Sequence, residues 1–214
     1  MDKIRFVIAG SIGIDHVLNQ LDEIASINDF EKIKLEPFSP KIAKAFLDEL
    51  STTHSLPLTE EVKAKILDSV GKPIPYFIQI LFSEVHKTYF QDDEEITEAT
   101  IEKIYRDKVL GVDCKTYFEH YYGRLRIYYE PNEEKATKKI LREIAVAGNL
   151  SKETCFQIYQ KAVGRKAELE RFGSLMTELE NDFYVIFNSE NNAYEFGSKL
   201  LRDWWLRYYG MTID

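Results

Sequence analysis

The chain begins with a continuous apolar run, followed by a glycine-rich turn and then by apolar residues at helical spacing. Phe6–Ala9 is apolar without interruption, which is typical of a strand covered on both faces of a parallel sheet. After Gly10–Gly13, apolar side chains recur every three or four positions over residues 14–25, which predicts an amphipathic helix. A second strand is predicted for the segment KIKLEPF at 32–38. This unit is too small to bury both faces of its sheet, so we expect residues 1–38 to be the remnant of a larger α/β core.

From residue 39 the pattern changes to helical spacing and predicts a module of four helices over residues 39–112. Ser39, Thr59 and Thr97 have hydroxyls that can accept a hydrogen bond from the first turn of a helix, so each is expected to cap one. The third helix, from Pro75 to Phe90, is apolar nearly all round. We therefore expect it to be the buried centre of the module.

Residues 113–214 follow a different order of elements. The aromatic-rich segment KTYFEHYYGRLRIYY at 115–129 is predicted to be helical. Three predicted helices then follow, at about 132–147, 151–162 and 167–180. After them come two short β-rich runs, 183–187 and 193–196, around an asparagine-rich turn, and a closing helix at 198–210. Three helices followed by a two-stranded hairpin is the order of a winged-helix domain.

Composition argues against several classes of protein. The apolar runs are shorter than the ~20 residues that a membrane helix requires, and no signal-peptide pattern is present, so no membrane association is expected. Cys114 and Cys155 form no Cys-x-x-Cys motif, and the four histidines lack the spacing of metal ligands, so no metal site is predicted. Two isolated cysteines favour a reduced, cytoplasmic setting.

The charge makes DNA a disfavoured partner, although a local basic face would still allow it. The formal net charge is −8, which repels phosphate backbones. The helix at 167–180 would read the DNA of a winged-helix complex, yet its charged side chains are mostly acidic: Glu168, Glu170, Glu178 and Glu180 against Arg171. The most basic stretch, residues 135–142, lies on the first of the three helices, which does not normally enter a groove.

Candidate chemistry is sparse along the chain. No segment has the Gly-x-x-x-x-Gly-Lys-[Ser/Thr] pattern of a phosphate loop. Ser11 follows the first predicted strand, at the edge where open α/β sheets bind ligands. Taken alone, however, its position favours a cap of the next helix or a hydrogen bond to a loop amide. No Ser-His-Asp or Cys-His set emerges from the spacing, so no catalytic residue is predicted. We interpret the pair Trp204–Trp205, beside Asp203, as core packing.

The order of these segments resembles the C-terminal half of a P-loop ATPase of the AAA+ superfamily. Within that superfamily the chain is most similar to the archaeal and bacterial ATPase group allied to the STAND signalling ATPases. FVIAGSIGI resembles the sensor 1 strand of this group, and KIKLEPFSPKIAKAFLDEL resembles the entry into its helical lid. Gly71-Lys72-Pro73 matches the Gly-x-Pro motif of the lid, and NDFYVIFNSENNAYEFGSKLLRDWW resembles the wing and closing helix of its winged-helix domain.

This resemblance implies a fold and a set of site residues. The fold would be mostly α, with an α/β remnant at 1–38, a four-helix lid at 39–112 and a winged-helix domain at 113–214. In an intact ATPase, Ser11 would face the γ-phosphate of ATP, while Gly71 and Pro73 would lie near the nucleotide. The Walker A and Walker B segments would precede residue 1, so the chain alone is expected to bind neither ATP nor Mg²⁺ and to hydrolyse nothing. The stretch SINDFEKI before the lid has no arginine, so it offers no arginine finger.

The preferred functional hypothesis is a non-catalytic part of an ATPase switch, in which the lid and winged helix relay the nucleotide state to a partner. The chain would then be a truncated gene product, one half of a split gene or a deliberately shortened chain. One alternative is a winged-helix DNA-binding protein or regulator, and another is an interaction module that acts with a separate ATPase subunit. Because a two-stranded sheet leaves a face and edges uncovered, we also expect self-association or a protein partner through residues 3–38.

Overall fold

The computed structural model describes residues 31, 33 and 35–211 of the chain. These residues are mostly helical with one small antiparallel sheet, which confirms the predicted mostly-α class. The predicted strand at 6–9, the helix at 14–25 and Ser11 lie outside the described residues. The predicted strand at 32–38 is wrong in its described part, because residues 33 and 35–38 form no strand and Ile33 and Leu35 are 80% and 81% exposed. An alternating apolar pattern does not supply the hydrogen-bonding neighbour that a strand needs.

The first half of the described chain is a group of packed helices. It contains α1 (Pro40–Thr53), α2 (Glu60–Val70), α3 (Pro75–Gln91) and α4 (Glu98–Ile104), followed by a π-helical turn, Tyr105–Val109. All three predicted caps are present: the hydroxyls of Ser39, Thr59 and Thr97 accept from the backbone N–H three residues later, at 3.4, 3.3 and 3.2 Å. α3 packs against α2, α4 and the π-helical turn. Its fully buried side chains include Phe77, Ile78, Leu81 and Val85, as expected of a central helix.

The second half combines helices with the sheet. Its elements are α5 (Lys115–Gly123), α6 (Leu125–Tyr128), α7 (Pro131–Ala147), β1 (Asn149–Ser151), α8 (Lys152–Val163), a 3₁₀ turn (Gly164–Lys166), α9 (Leu169–Asn181), β2 (Val185–Asn188), β3 (Ala193–Phe196) and α10 (Lys199–Tyr209). The helix predicted over 115–129 is interrupted at Arg124. The guanidinium of Arg124 donates to the hydroxyl of Tyr184 at 2.7 Å, which ties this break to the start of the hairpin.

The sheet has the order β1-β3-β2, with both pairs antiparallel. The hairpin of β2 and β3 was predicted, and its register places Phe187 opposite Tyr194. β1 was not predicted. It is three residues long, and its last residue, Ser151, also caps α8 by accepting from the N–H of Thr154 at 3.1 Å. The sequence indicates a helix cap at Ser151, and this signal gives no indication of a strand there, because Ser151 belongs to both β1 and the cap of α8.

The closing helix, α10, packs against both halves. Trp204 and Trp205 are completely buried, which confirms their interpretation as core residues. The ring of Trp204 lies 5.9 Å from that of Phe118, and the ring of Trp205 lies 5.9 Å from that of Phe196. On the other side, the hydroxyl of Tyr208 donates to the carbonyl of Leu110 at 3.1 Å. α10 is therefore one of the elements that join the α1–α4 group to the sheet and its helices.

Candidate functional site at the Gly71–Pro73 turn

The Gly71–Pro73 turn links α2 to α3 and contains both described candidate residues, Gly71 and Pro73. The backbone N–H of Gly71 donates to the carbonyl of Leu67 at 2.9 Å and ends α2. The carbonyl of Pro73 accepts from the N–H of Phe38 at 3.0 Å, which fixes the segment entering α1. Pro75, at the first position of α3, starts the next helix. The turn is therefore held by backbone hydrogen bonds on both sides.

Gly71 lies directly against the start of α10. Its φ of 75° and ψ of −108° belong to a region that side-chain-bearing residues rarely adopt. A Cβ placed on Gly71 would lie 2.8 Å from the Cβ of Lys199 and 3.0 Å from its backbone nitrogen. Next to this contact, the hydroxyl of Ser198 donates to the carbonyl of Val70 at 3.0 Å. Glycine is required at this position both for the backbone conformation and for the close approach.

Lys199 connects the turn to a polar cluster on the π-helical turn. Its ammonium lies 3.5 Å from a carboxylate oxygen of Asp203 and 4.5 Å from the centre of the Tyr105 ring. The hydroxyl of Tyr105 donates to the same Asp203 carboxylate at 2.8 Å. Burial, followed by the negative charge of Asp203, raises the pKa of Tyr105 far above its ordinary value. The phenol therefore keeps its proton and remains a hydrogen-bond donor to Asp203.

The Gly71–Pro73 turn also contacts the residue Phe183, which lies just before β2 of the hairpin. The ammonium of Lys72 lies over the ring of Phe183, 5.5 Å from its centre. Phe183 precedes β2 and has a φ of 62°, and the neighbouring Tyr184 accepts a hydrogen bond from the N–H of Gly197 at 2.7 Å. Because Lys199 lies three residues after the end of β3, the Gly71–Pro73 turn touches the chain both before β2 and after β3.

The structure brings Gly71 and Pro73 together on this turn, while Ser11 lies outside the described residues. Lys72 supplies the positive charge of the turn itself. The turn therefore offers backbone groups and one ammonium group to a ligand. Across residues 31, 33 and 35–211, no group of three or more His, Cys, Asp or Glu side chains is arranged to hold a metal ion. Sequence reasoning missed the roles of Tyr105 and Lys199, because no local pattern indicates a contact between residues almost a hundred positions apart.

Two of the cations that could attract DNA are engaged in ion pairs. Arg171, the cation of α9, binds Glu133 at 2.8 Å and Glu178 at 3.1 Å. Lys138, in the most basic stretch, binds Glu134 at 2.6 Å and lies 3.8 Å from the centre of the Tyr122 ring. Both side chains therefore neutralise nearby carboxylates or cover an aromatic ring. These pairs strengthen the electrostatic argument against a DNA-reading role for α9.

None of the helices in the described part of the chain is both long and apolar enough to cross a membrane. No protein-family model matches the chain, and no curated protein matches it in sequence.

Proposed function

We propose that this chain is the helical lid and winged-helix part of an AAA+/STAND-type ATPase, and that it relays the nucleotide state of such an ATPase to a protein partner. The lid would be residues 39–112 and the winged helix residues 113–214. The chain itself supplies no phosphate loop, so it is the responding part of the switch and has no hydrolytic activity of its own. Bound ATP and Mg²⁺ would be held mainly by the part that carries the Walker motifs.

The observation that carries this proposal is the packing of the Gly71–Pro73 turn on the start of α10. A glycine-containing turn expected near the nucleotide is in contact with Lys199, and Lys72 reaches Phe183 at the base of the hairpin. A displacement of this turn would therefore be transmitted to α10 and the hairpin without an intervening flexible linker. Dense cores and close contacts transmit small shifts in this way, because they have few alternative arrangements.

The topology of the second half supports the winged-helix part of the proposal. α7, α8 and α9 precede the hairpin, and β1 between α7 and α8 completes an antiparallel sheet of order β1-β3-β2. The charge distribution favours a protein over DNA as the partner of this module. The cation of α9, Arg171, is paired with two carboxylates, and the helix otherwise presents glutamates.

In the test, this chain is mixed with a protein that carries both Walker motifs and is encoded in the same or the adjacent reading frame. Amide hydrogen exchange is measured in the mixture with and without Mg-ATP. We expect ATP to slow exchange both in residues 71–75 and in α10, and only when the Walker-bearing protein is present. The variant Gly71→Ala should retain protection near the nucleotide and lose the ATP-dependent change in α10.

Two results would contradict the proposal. One is a complex in which Mg-ATP changes exchange in the Walker-bearing protein but leaves residues 71–75 and α10 unaffected. The other is a gene and gene neighbourhood without any Walker A and B segment. Sequence-selective nanomolar binding of duplex DNA would instead favour the DNA-binding alternative.

A further inference from the structure

An aromatic cleft with an acidic rim lies at the C-terminal end of α3, on a part of the surface that the proposed relay does not use. It is an open surface depression with a volume of about 370 Å³. We call it the α3 cleft, and it is lined by Tyr89, Phe90, Asp93, Glu94 and Glu95. A cleft of this size has room for one long side chain.

The wall of the α3 cleft is formed by two aromatic rings. The rings of Tyr89 and Phe90 are 4.9 Å apart and nearly perpendicular, at 88°, so their faces make a corner. Phe90 is 51% exposed although it is a large apolar residue. Its other neighbour is His86, whose ring centre lies 4.6 Å away. An exposed aromatic corner provides negative π-faces, which attract an organic cation.

The loop that completes the cleft is fixed in place. The backbone N–H groups of Asp92 and Glu94 both donate to the carbonyl of Thr88, at 3.2 and 3.4 Å. Lys108 then binds the hydroxyl of Thr88 at 2.9 Å and the carboxylate of Asp92 at 2.7 Å. Asp93, with a φ of 53°, takes up the turn between these contacts. The acidic rim is therefore preorganised and does not have to be ordered on binding.

The charge of the rim is only half neutralised. Residues 92–95 are four consecutive acids, and their two ion pairs join Asp92 to Lys108 and Glu94 to Lys103, at 2.7 and 3.1 Å. Within the described part of the chain, Asp93 and Glu95 have no ion-pair partner. Asp93 also lies two residues beyond the C-terminal end of a 17-residue helix, where the helix dipole is negative and disfavours carboxylates.

Two π-faces, two unneutralised carboxylates and a negative helix end all attract positive charge. A ligand of the α3 cleft should therefore carry a cationic group. We propose that the α3 cleft binds an arginine or lysine side chain from a basic segment of a partner protein. The cationic head would lie between the Phe90 face and the carboxylates of Asp93 and Glu95, with its aliphatic stem along Tyr89. This proposal is independent of nucleotide and of the Gly71–Pro73 turn.

The test is a titration of the full, ¹⁵N-labelled chain with a blocked Gly-Arg-Gly-Arg-Gly peptide, followed by NMR. The matched probe is the same peptide with citrulline in place of arginine, which keeps the shape and removes the charge. We expect saturable shifts of the amides of residues 89–95 with the arginine peptide and none with the citrulline peptide. Tetramethylammonium serves as a third probe, because an equal or higher affinity for it would overturn the assignment to a peptide side chain.

Three variants locate the site. Phe90→Leu keeps an apolar side chain and removes the π-face, so we expect affinity to fall about two- to fivefold. Asp93→Asn removes one carboxylate, retains a residue that tolerates positive φ, and should weaken binding by at most about fivefold. Glu190→Gln removes the same charge from the exposed tip of the hairpin and should leave affinity unchanged. Thermal unfolding of each variant is compared with that of the wild-type chain to verify that the fold is retained.

The proposal is overturned by any of three further results. Equal shifts with arginine and citrulline peptides would show that charge is not recognised. Equal weakening by Glu190→Gln and Asp93→Asn would show a general attraction of cations to an acidic protein. A lack of saturable shifts at residues 89–95 at millimolar peptide would show that the cleft does not bind this class of ligand.

Discussion

Replacing Gly71 with alanine tests how tightly the Gly71–Pro73 turn is fitted against α10. The alanine would have to adopt φ 75° and ψ −108°, which costs about 1–3 kcal/mol of backbone strain. Its Cβ would lie 2.8 Å from the Cβ of Lys199, and relieving that overlap adds about 1–3 kcal/mol. Lower entropy of the unfolded chain offsets about 0.5–1 kcal/mol. The free energy of unfolding should therefore fall by about 1–5.5 kcal/mol.

Two other glycines separate the contributions to this loss. Gly164 has a φ of 72°, but a Cβ there would meet no heavy atom within 4 Å. Gly164→Ala should therefore cost only the strain less the same entropy offset, about 0–2.5 kcal/mol. Gly173 lies inside α9 with open space around it, so Gly173→Ala should stabilise the protein by about 0.5–1 kcal/mol. Urea unfolding monitored by tryptophan fluorescence measures all three differences, because Trp204 and Trp205 are buried.

The ranking of the three variants decides whether the contact matters. If Gly71→Ala costs no more than Gly164→Ala, the approach of Lys199 to the turn is not restrictive and the relay loses its structural basis. If Gly173→Ala destabilises the protein as much as Gly71→Ala, alanine at any glycine is harmful and the comparison says nothing particular about α10. Hydrogen exchange gives an independent measurement, because only Gly71→Ala should accelerate exchange in the first turn of α10.

The other predictions concern ligands, association and pH. Calorimetry with Mg-ATP should show no tight binding to the chain alone, and a dissociation constant at or below about 1 μM would contradict this expectation. Titration with duplex DNA at ~150 mM salt should show nothing tighter than ~10⁻⁶ M, the upper end of non-specific affinity. Deleting residues 1–36 should abolish the self-association that light scattering detects. The remainder should stay folded, because Phe38, whose ring centre lies 5.4 Å from that of Phe46, is retained. A deletion variant that still dimerises would refute the assignment of self-association to this segment. Burial raises the pKa of the Cys114 and Cys155 thiols to about 12, above the ordinary value near 9. The folded chain therefore holds these thiol protons more tightly than the unfolded chain does, and this difference stabilises the fold. The contribution to stability is complete below about pH 9 and is lost as the pH rises toward 12. Alkylation followed by mass spectrometry should accordingly modify neither thiol at pH 8 until urea unfolds the chain, and rapid native modification would contradict their burial.

Features that depend on nearby residues could be predicted from the sequence. Ser39, Thr59 and Thr97 were identifiable as caps because each hydroxyl binds a backbone N–H three residues away. The hairpin was predictable for the same reason, since its two strands pair across a short turn. Helix periodicity also gave most of the element order. These signals act over one or two turns of chain and need no knowledge of the tertiary structure.

Features that depend on distant residues could not be predicted in this way. Ser198 and Val70 are 128 positions apart, and no pattern around either residue indicates their hydrogen bond. The cleft at Tyr89 and Phe90 likewise depends on Lys108 fixing the acidic loop through Thr88. The segment at 32–38 shows the reverse error, because its alternation suggested a strand while Leu35 is 81% exposed. Whether an apolar residue is covered is decided by the whole fold.

The position of α10 in the chain has a consequence for biosynthesis. The ribosome makes this helix after every element that it contacts, including the α2 end at Val70, Tyr105 and Leu110. Until α10 has emerged, the sites that receive Trp204 and Trp205 are uncovered, and the nascent chain exposes apolar surface to other chains. Contacts spanning about a hundred residues also close slowly, because the chain must first bring their ends together. Docking of α10 is therefore expected to be the late step of folding, and the interval before it is when the protein has the greatest need of a chaperone.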